Sequence, residues 1–184
     1  FSFDCSLLAL GSRDNNVYVY STDGDEMKDF NLSGVCKGHS SFIRSLDISQ
    51  DGTLMQTNAG DYELLYWRLP DCEQETDLSE VRDVEWATRT CLLSFKNFGV
   101  WPKGVDGTHL NAVSGSHCSP LVVTADDFGK VKLFPNFIHF AYAGHKSYRG
   151  HSSHVTGAVF TQSDSHVVSI GGNDKSVLQW KIIE

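Results

Sequence analysis

Three side chains in this sequence are of the types that catalyse hydrolysis: His39, Thr57 and Asp61. A hydroxyl acts as a nucleophile when a histidine removes its proton and a carboxylate orients that histidine. A second histidine and aspartate, His151 and Asp174, follow further along the chain at nearly the same separation. A single active site has no reason to occur twice in one chain. The sequence therefore favours a repeated structural role, and we expect no enzyme activity.

Both groups lie inside a block of sequence that occurs twice. Each block begins with Gly-His-Ser-Ser, at residues 38–41 and 150–153, and ends at a tryptophan, Trp67 or Trp180. The His-to-Trp separations are 28 and 29 residues, and an aspartate stands six residues before each tryptophan. A Gly-His pair, an Asp and a Trp at these offsets are typical of a WD40 blade. The histidine and aspartate thus belong to a repeated β-sheet unit.

The WD40 pattern predicts a chain of hydrogen bonds in the blade that ends at Trp67. The indole N–H of Trp67 can donate to the hydroxyl of Thr57, which stands ten residues earlier. That hydroxyl can bond His39, and His39 can bond Asp61. Buried polar groups need partners, and a complete network fixes one geometry. These residues are therefore predicted to be structural.

The second block is predicted to hold an interrupted version of the network, with His151, Asp174 and Trp180 in the matching places. Counting ten residues back from Trp180 gives Ile170, which has no hydroxyl. Ser169 is one residue off, and because strand side chains alternate between faces, it is expected to point away. Two further units carry an aromatic residue at the tryptophan position: Tyr20 and Phe134. Only the Trp67 unit is expected to hold the whole network.

The bulk composition is that of an ordinary globular chain, with 184 residues, 40% of them apolar and 21% charged. The formal net charge is −8, and the Lys and Arg residues are scattered singly. A nucleic-acid binder needs clustered basic residues to displace counterions, so nucleic acid is not expected as a partner. No apolar run approaches the roughly 18 residues of a membrane helix, so a membrane is not expected either.

The cysteines and histidines give no recognisable metal or cofactor site. Five cysteines are widely spaced and none forms a C-x-x-C pair, so neither zinc nor a disulfide framework is expected. His151 and His154 look like a metal pair, but Phe42 occupies the position of His154 in the other block. Reduced thiols are typical of cytosolic proteins. We therefore expect a cytoplasmic chain without metal or cofactor.

Aligned on its repeats, the chain divides into four units with strand-like patterns and no helical periodicity. Because a blade takes about 40–45 residues, we predict an all-β WD40 propeller. The chain would form about four consecutive blades of a larger ring, of about seven blades, incomplete at both ends. The predicted blades are residues 1–34, 35–97, 98–146 and 147–184, with an acidic loop at 70–83, the second blade's outer strand within 86–95 and an insertion at 99–108.

The Gly-His connection and the Asp turn are expected to face the same rim of a blade. Residues that follow them are candidates for contact with a partner, because interfaces favour exposed aromatic and arginine side chains. The candidate partner-binding residues are Phe42, Arg44 and Tyr62 in the second unit and His154 and Lys175 in the fourth. The alternative for Phe42 and Tyr62 is packing within the rim.

Several stretches resemble the echinoderm microtubule-associated protein-like (EMAP-like) family, and together they span essentially the whole chain. They are residues 60–67, 82–91, 98–102, 106–108, 125–134 and 150–156. The insertion with Trp101 and the Asp-Asp-Phe-Gly turn at 126–129 are more specific than a generic WD repeat. The resemblance places the chain in the C-terminal propeller of the family, and Ile170 suggests one of the longer, multi-propeller members.

The resemblance implies a non-enzymatic scaffold associated with the cytoskeleton, acting on microtubules or the spindle. Its implied partners are tubulin or microtubules and the rest of the propeller. The coiled coil of the family, and the hydrophobic motif tied to tubulin binding, do not occur in this sequence. A net charge of −8 also disfavours electrostatic attachment to an acidic surface. The alternative is a general WD40 peptide or protein adaptor without direct tubulin binding.

Overall fold

The computed structural model describes residues 1–22, 29–101, 104, 109–135 and 143–183. The prediction of an all-β chain is confirmed, since the described elements are strands apart from one α-helical and one 3-10 turn. The strands are β1 Leu7–Gly11, β2 Asn16–Thr22, β3 Phe30–Lys37, β4 Ile43–Ile48, β5 Leu54–Ala59, β6 Leu64–Arg68, β7 Glu73–Glu75, β8 Leu110–Gly115, β9 Leu121–Asp126, β10 Lys130–Pro135, β11 Lys146–Arg149, β12 Val155–Phe160, β13 His166–Gly171 and β14 Val177–Lys181. The helical turns are α1 Leu78–Val81 and the 3-10 helix Phe95–Val100.

The strands form four antiparallel meanders, which we call blades 1 to 4. Their strand orders are β1-β2-β3, β4-β5-β6-β7, β8-β9-β10-β11 and β12-β13-β14. Blades 1 and 2 lie in one compact unit, residues 1–93, and blades 3 and 4 in a second, residues 94–184. The first strands of blades 2, 3 and 4 each carry a β-bulge at the same place, opposite the end of the second strand.

Each unit has its own apolar core between its two blades. Alternation places Val17 and Val19 of β2 on one face, where both are fully buried with Met55 and Trp67 of blade 2. In the second unit, the buried side chains of β9 and β10 pack on those of β12 and β13 in the same way. Because the apolar residues of the inner strands alternate along the sequence, they lie on one face of each sheet. That face packs against the neighbouring blade of the same unit.

The outer strands are where the prediction fails. The fourth strand of blade 2 was expected within residues 86–95, but this is wrong: β7, at Glu73–Glu75, pairs with β6 instead. It lies inside the acidic stretch 70–83, which was expected to be loop and also contains α1. The strands β3 and β11 were not predicted. Because most of their side chains are exposed, they carry little of the hydrophobic alternation that identifies a strand.

Residues 86–91 form a strap across blade 2 that is held by one buried carboxylate. Asp47, which is 1% exposed, accepts hydrogen bonds from the hydroxyl of Thr88 at 2.5 Å, the amide N–H of Thr90 at 2.8 Å and that of Cys91 at 2.9 Å. Trp86 of the same strap stacks on Tyr66 with ring centroids 6.2 Å apart. Trp86 also forms an isolated antiparallel bridge with Ser49, next to the end of β4, so this family-like stretch is held by one backbone bridge and by side-chain packing.

Of the predicted insertion, only residues 99–101 and 104 lie within the described part of the chain, so its remaining residues, Asp106 and Thr108 among them, lie outside it. Among the residues that the structure describes, no helix is long and apolar enough to cross a membrane.

Candidate functional site

The strands and turns of blade 2 bring His39, Thr57, Asp61 and Trp67 into one hydrogen-bonded chain. The indole Nε1 of Trp67 donates to Thr57 Oγ1 at 2.9 Å, and Thr57 Oγ1 lies 2.7 Å from His39 Nε2. His39 Nδ1 lies 3.0 Å from Asp61 Oδ2. Since the carboxylate can only accept, Nδ1 carries the proton, and Nε2 accepts from the threonine hydroxyl.

The carboxylate at the end of this chain is held in its ionised form. Burial raises the pKa of Asp61, but hydrogen bonds from the backbone N–H groups of Glu63 and Ser40, together with His39, outweigh burial and lower the pKa. The two backbone bonds measure 3.0 and 2.9 Å. Asp61 therefore joins the Gly-His connection to the turn between β5 and β6.

Blade 4 contains a complete network too, so the predicted interruption at Ile170 is wrong. Ser169 Oγ lies 2.7 Å from His151 Nε2 and accepts from Trp180 Nε1 at 2.8 Å. His151 Nδ1 lies 3.1 Å from Asp174 Oδ2. Ser169 thus takes the place of Thr57, and the indication of a longer family member that was taken from Ile170 loses its structural basis.

The error came from counting through a turn of different length. Ser169 pairs with Leu178, as Thr57 pairs with Leu65, so both hydroxyls occupy the same sheet position. The turn after β13 contains one residue more than the turn after β5, which shifts a count made backward from the tryptophan. Counted forward from the histidine, both hydroxyls are 18 residues away, and that count would have found Ser169.

Blade 4 also contains a contact that the sequence did not suggest. Ser176 Oγ lies 2.9 Å from His151 Nδ1, so this ring nitrogen has two partners. The pKa of Asp174 is lowered to about 2: burial raises it, but hydrogen bonds from the backbone N–H of Ser176, His151, the Ser176 hydroxyl and the N–H of Ser152 prevail. In blade 2 the residue two positions after the aspartate is Glu63, which lacks this contact.

The geometry of both networks fits a structural role better than a catalytic one. Thr57 and Ser169 are fully buried, and each hydroxyl oxygen is already shared between an indole N–H and a histidine. A nucleophile needs an exposed oxygen with room for a carbonyl beside it. What the arrangement does is fix the connection between blades to the turn and to the third strand of the blade.

In the described part of blade 3 the hydroxyl is present without the rest of the network. Thr124 is fully buried, and its Oγ1 has no hydrogen-bond partner among the described residues. Phe134 stands at the tryptophan position and has no N–H to give. Nearby, the ammonium of Lys132 pairs with the carboxylate of Asp126 at 2.9 Å, and both side chains are nearly buried. An ion pair thus stands at the end of β9, where blades 2 and 4 have alanine and glycine: Ala59 and Gly171.

The distances alone would allow a metal ion beside His39. His39, Asp61 and Glu63 each offer a ligand atom, and these atoms lie within 4.8 Å of one another. Both ring nitrogens of His39 are already used, however, by Thr57 and by Asp61. A metal at Nδ1 would have to break the network that holds the blade, so these residues fit a hydrogen-bonded structural site better than a metal centre.

The rim candidates of blade 2 are exposed. Phe42 is 43% exposed and lies against Gly60, where a Cβ atom would be 2.9 Å from its ring. The guanidinium carbon of Arg13 lies 6.0 Å from the centroid of the same ring. Tyr62 is 49% exposed, and Arg44 is exposed at the bulge of β4.

The rim candidates of blade 4 occupy the same backbone positions. His154 lies over Gly172 as Phe42 lies over Gly60, and in each pair the glycine N–H donates to the carbonyl of the other residue at 2.9 Å. Lys175 follows Asp174 as Tyr62 follows Asp61, and it is exposed. Each blade thus presents one side chain over a glycine and one at the tip of a turn.

The chain matches one protein family over nearly its whole length. Residues 1–182 fit the model described as the second β-propeller of the echinoderm microtubule-associated protein. The chain is 53% identical over 182 residues to echinoderm microtubule-associated protein-like 2 of Rattus norvegicus, covering 99% of this chain and 28% of that protein. It is 48% identical over 184 residues to echinoderm microtubule-associated protein-like 3 of Homo sapiens, covering 100% of this chain and 20% of that protein. The chain therefore spans less than a third of the length of these relatives.

Solved structures agree on the architecture. A chain of a mitotic checkpoint complex superposes with a TM-score of 0.67 at 12% identity, covering 97% of this chain and 60% of that one. The computationally designed Ika8 protein superposes with a TM-score of 0.59 at 20% identity, covering 96% and 56%. At these identities the likeness concerns the fold, and with the family match it confirms the prediction of a partial WD40 propeller.

Proposed function

This chain belongs to the echinoderm microtubule-associated protein family, in the region of its second β-propeller, and from this we propose that it is a non-enzymatic WD40 scaffold of a microtubule-associated protein. It contributes to microtubule or spindle organisation through contacts with other proteins, in the cytoplasm and on the cytoskeleton. The observation that carries the proposal is the family match over residues 1–182. The relatives are named as microtubule-associated proteins.

The structure offers two kinds of support for a scaffold. The polar residues that resemble a catalytic triad are buried and bonded to one another, which suits a rigid frame. The exposed side chains that could contact a partner are Phe42, Arg44 at the β4 bulge and Tyr62 in blade 2, and Lys175 in blade 4. Aromatic and arginine side chains are those that contribute most to protein interfaces.

Co-sedimentation with microtubules tests the proposal. We expect the purified, monodisperse chain to pellet with microtubules at moderate salt, and the double variant Phe42→Ala, Tyr62→Ala to stay in the supernatant while its circular dichroism is unchanged. The variant Leu78→Ala is the control, because it removes an exposed apolar side chain from α1. Equal pelleting of the double variant and the wild type contradicts a role for the rim.

The charge of the chain favours a second candidate, a WD40 adaptor that binds a peptide or another protein without touching tubulin. A net charge of −8 repels the acidic surface of a microtubule. If the chain fails to pellet at both low and moderate salt, yet retains partners other than tubulin in a pull-down that the double rim variant abolishes, the adaptor is the correct assignment. Attachment to microtubules then resides in other parts of such proteins.

A further inference from the structure

We propose that the rim of blade 2 binds an acidic peptide segment that carries an apolar side chain. Arg44 and Arg13 bind the carboxylates of the peptide, and Tyr62 and Phe42 contact its apolar side chain. This inference rests on the proposed function, because it names the partner class of the rim described above. Two backbone positions carry side chains that differ between blades, and both lie on this surface.

The first position is the extra residue of the β-bulge in the first strand of a blade. In blade 3 it is Asn111, whose amide donates to Asp127 at 2.8 Å and to the carbonyl of Val155 at 2.9 Å. In blade 4 it is Thr156, whose hydroxyl donates to the carbonyl of Ile170 at 3.2 Å. In blade 2 it is Arg44, which is exposed and has no hydrogen-bond or ion-pair partner among the residues that the structure describes. A β-bulge changes the direction in which a side chain points. Of these three bulges, only the one at Arg44 places a positively charged side chain at the surface.

The second position is the residue after the aspartate, or its equivalent, in the turn before the strand that contains Trp67, Trp180 or the matching aromatic residue, Tyr20 or Phe134. Its φ is positive in all four blades: 73° at Asn15, 63° at Tyr62, 72° at Gly129 and 53° at Lys175. Glycine and asparagine adopt this left-handed conformation readily, whereas a bulky aromatic residue does so at a cost. Tyr62 is held there with half of its surface exposed. A strained residue with half of its surface exposed is most simply explained by a contact made outside the chain.

Free hydrogen-bond donors, rather than net charge, favour an acidic ligand on this rim, because its two arginines are unpaired in the described part of the chain while two of its three carboxylates are already hydrogen-bonded. Asp61 is occupied by His39 and two backbone N–H groups. Asp14 is occupied by the hydroxyl of Tyr18 at 2.6 Å and the N–H of Asn16 at 3.2 Å. The carboxylates thus point into their own turns. Arg13 and Arg44 have no ion-pair partner within the described ranges, and Glu63 is the one exposed acidic residue in the β5–β6 turn beside them.

Backbone contacts bring Arg13, Phe42 and Arg44 to the same end of β4. Ile43, next to both Phe42 and Arg44, donates its N–H to the carbonyl of Ser12 at 3.1 Å, which brings the turn with Arg13 to this end of β4. Arg13 already lies over one face of the Phe42 ring. A guanidinium held over a ring binds a carboxylate bidentately at its edge while the ring contacts an apolar neighbour.

Fluorescence anisotropy with a labelled synthetic peptide, in which glutamates flank one phenylalanine, tests the proposal. We expect saturable binding that weakens as salt is raised, at least tenfold weaker binding for Arg44→Glu, and unchanged binding for Arg82→Glu, an exposed arginine after α1. A peptide with lysines in place of glutamates is expected not to bind. Equal binding of the two peptides, or an Arg44→Glu variant that binds like the wild type, overturns the proposal.

The variant Tyr62→Gly separates a binding role from a structural one. Glycine relieves the left-handed strain, so we expect the thermal midpoint to rise by a few degrees while peptide affinity falls about fivefold or more. A lower midpoint with unchanged affinity assigns Tyr62 to packing and overturns its role here. If the rim variants abolish microtubule pelleting but the acidic peptide does not bind, the scaffold proposal stands and the acidic-peptide proposal falls.

Discussion

The networks of blades 2 and 4 consist of the same hydrogen bonds in different surroundings. Trp67 is 1% exposed, and its strand β6 lies between β5 and β7. Trp180 is half-buried, and β14 has β13 as its one partner among the described strands. A hydrogen bond contributes more where water is excluded. The repeat residues thus set the bonding pattern, while the neighbouring outer strand sets what that pattern contributes to stability.

The largest effect is expected from removing the tryptophans. Trp67→Ala should lower the free energy of unfolding by about 3–5 kcal/mol, since it empties a closed core and leaves Thr57 without its donor. Trp180→Ala should cost about half as much, because part of that side chain already faces water. Urea denaturation followed by circular dichroism measures both. Equal losses would show that burial does not distinguish the two networks.

Removing the hydroxyls separates the hydrogen bonds from the packing. Thr57→Val keeps the shape of the side chain and should cost about 1–3 kcal/mol, because the indole N–H and the histidine are left unpaired in a buried site. Ser169→Ala should cost about 1 kcal/mol, because Trp180 is half-buried and water can reach its indole N–H more easily than that of Trp67. Chemical denaturation of the two variants under one set of conditions gives the difference. A larger loss for Ser169→Ala would reverse the comparison.

Blade 3 provides the internal control for this pair. Thr124 occupies the same sheet position as Thr57, but its hydroxyl has no partner among the residues that the structure describes. Replacing an unpaired buried hydroxyl by a methyl group removes a desolvation penalty and no hydrogen bond. Thr124→Val should therefore leave the free energy of unfolding unchanged or raise it by up to about 1 kcal/mol. A loss as large as that of Thr57→Val would indicate a hidden partner.

A strand could be predicted from the sequence only where one of its faces is buried. The inner strands were found because buried residues such as Val17 and Val19 alternate with half-buried ones. The strands β3, β7 and β11 were missed because exposure removes that signal. The Trp67 network followed from spacing, whereas Ser169 was missed because a turn one residue longer shifted the count. The pairings of Ser176 and Asp47 had no sequence signal, since they depend on tertiary contacts.

Acid should act more strongly on blade 4 than on blade 2. The pKa of Asp174 is lowered from 3.8 to about 2, and that of Asp61 is lowered less. Because the folded pKa lies below the unfolded one, the contribution of Asp174 is fully present above about pH 4 and is lost as pH falls through 2. The slope of unfolding free energy against pH should flatten more in Asp174→Asn than in Asp61→Asn. Equal flattening would contradict the ranking.

The smallest effect is expected from the hydrogen bond between Ser176 and His151, which occurs in blade 4 and could be introduced into blade 2. Ser176 bonds His151 Nδ1, and the equivalent residue in blade 2 is Glu63, which does not bond His39. Ser176→Ala should cost about 0.5–1 kcal/mol, and Glu63→Ser should gain about 0.5 kcal/mol if the new hydroxyl reaches His39. Thermal denaturation resolves both when Glu63→Ala is the control for the lost charge. A gain in Glu63→Ser that Glu63→Ala lacks would mean that the two blades differ here by one side chain, whereas equal stability of both variants would mean that the backbone of the longer blade 4 turn is also required.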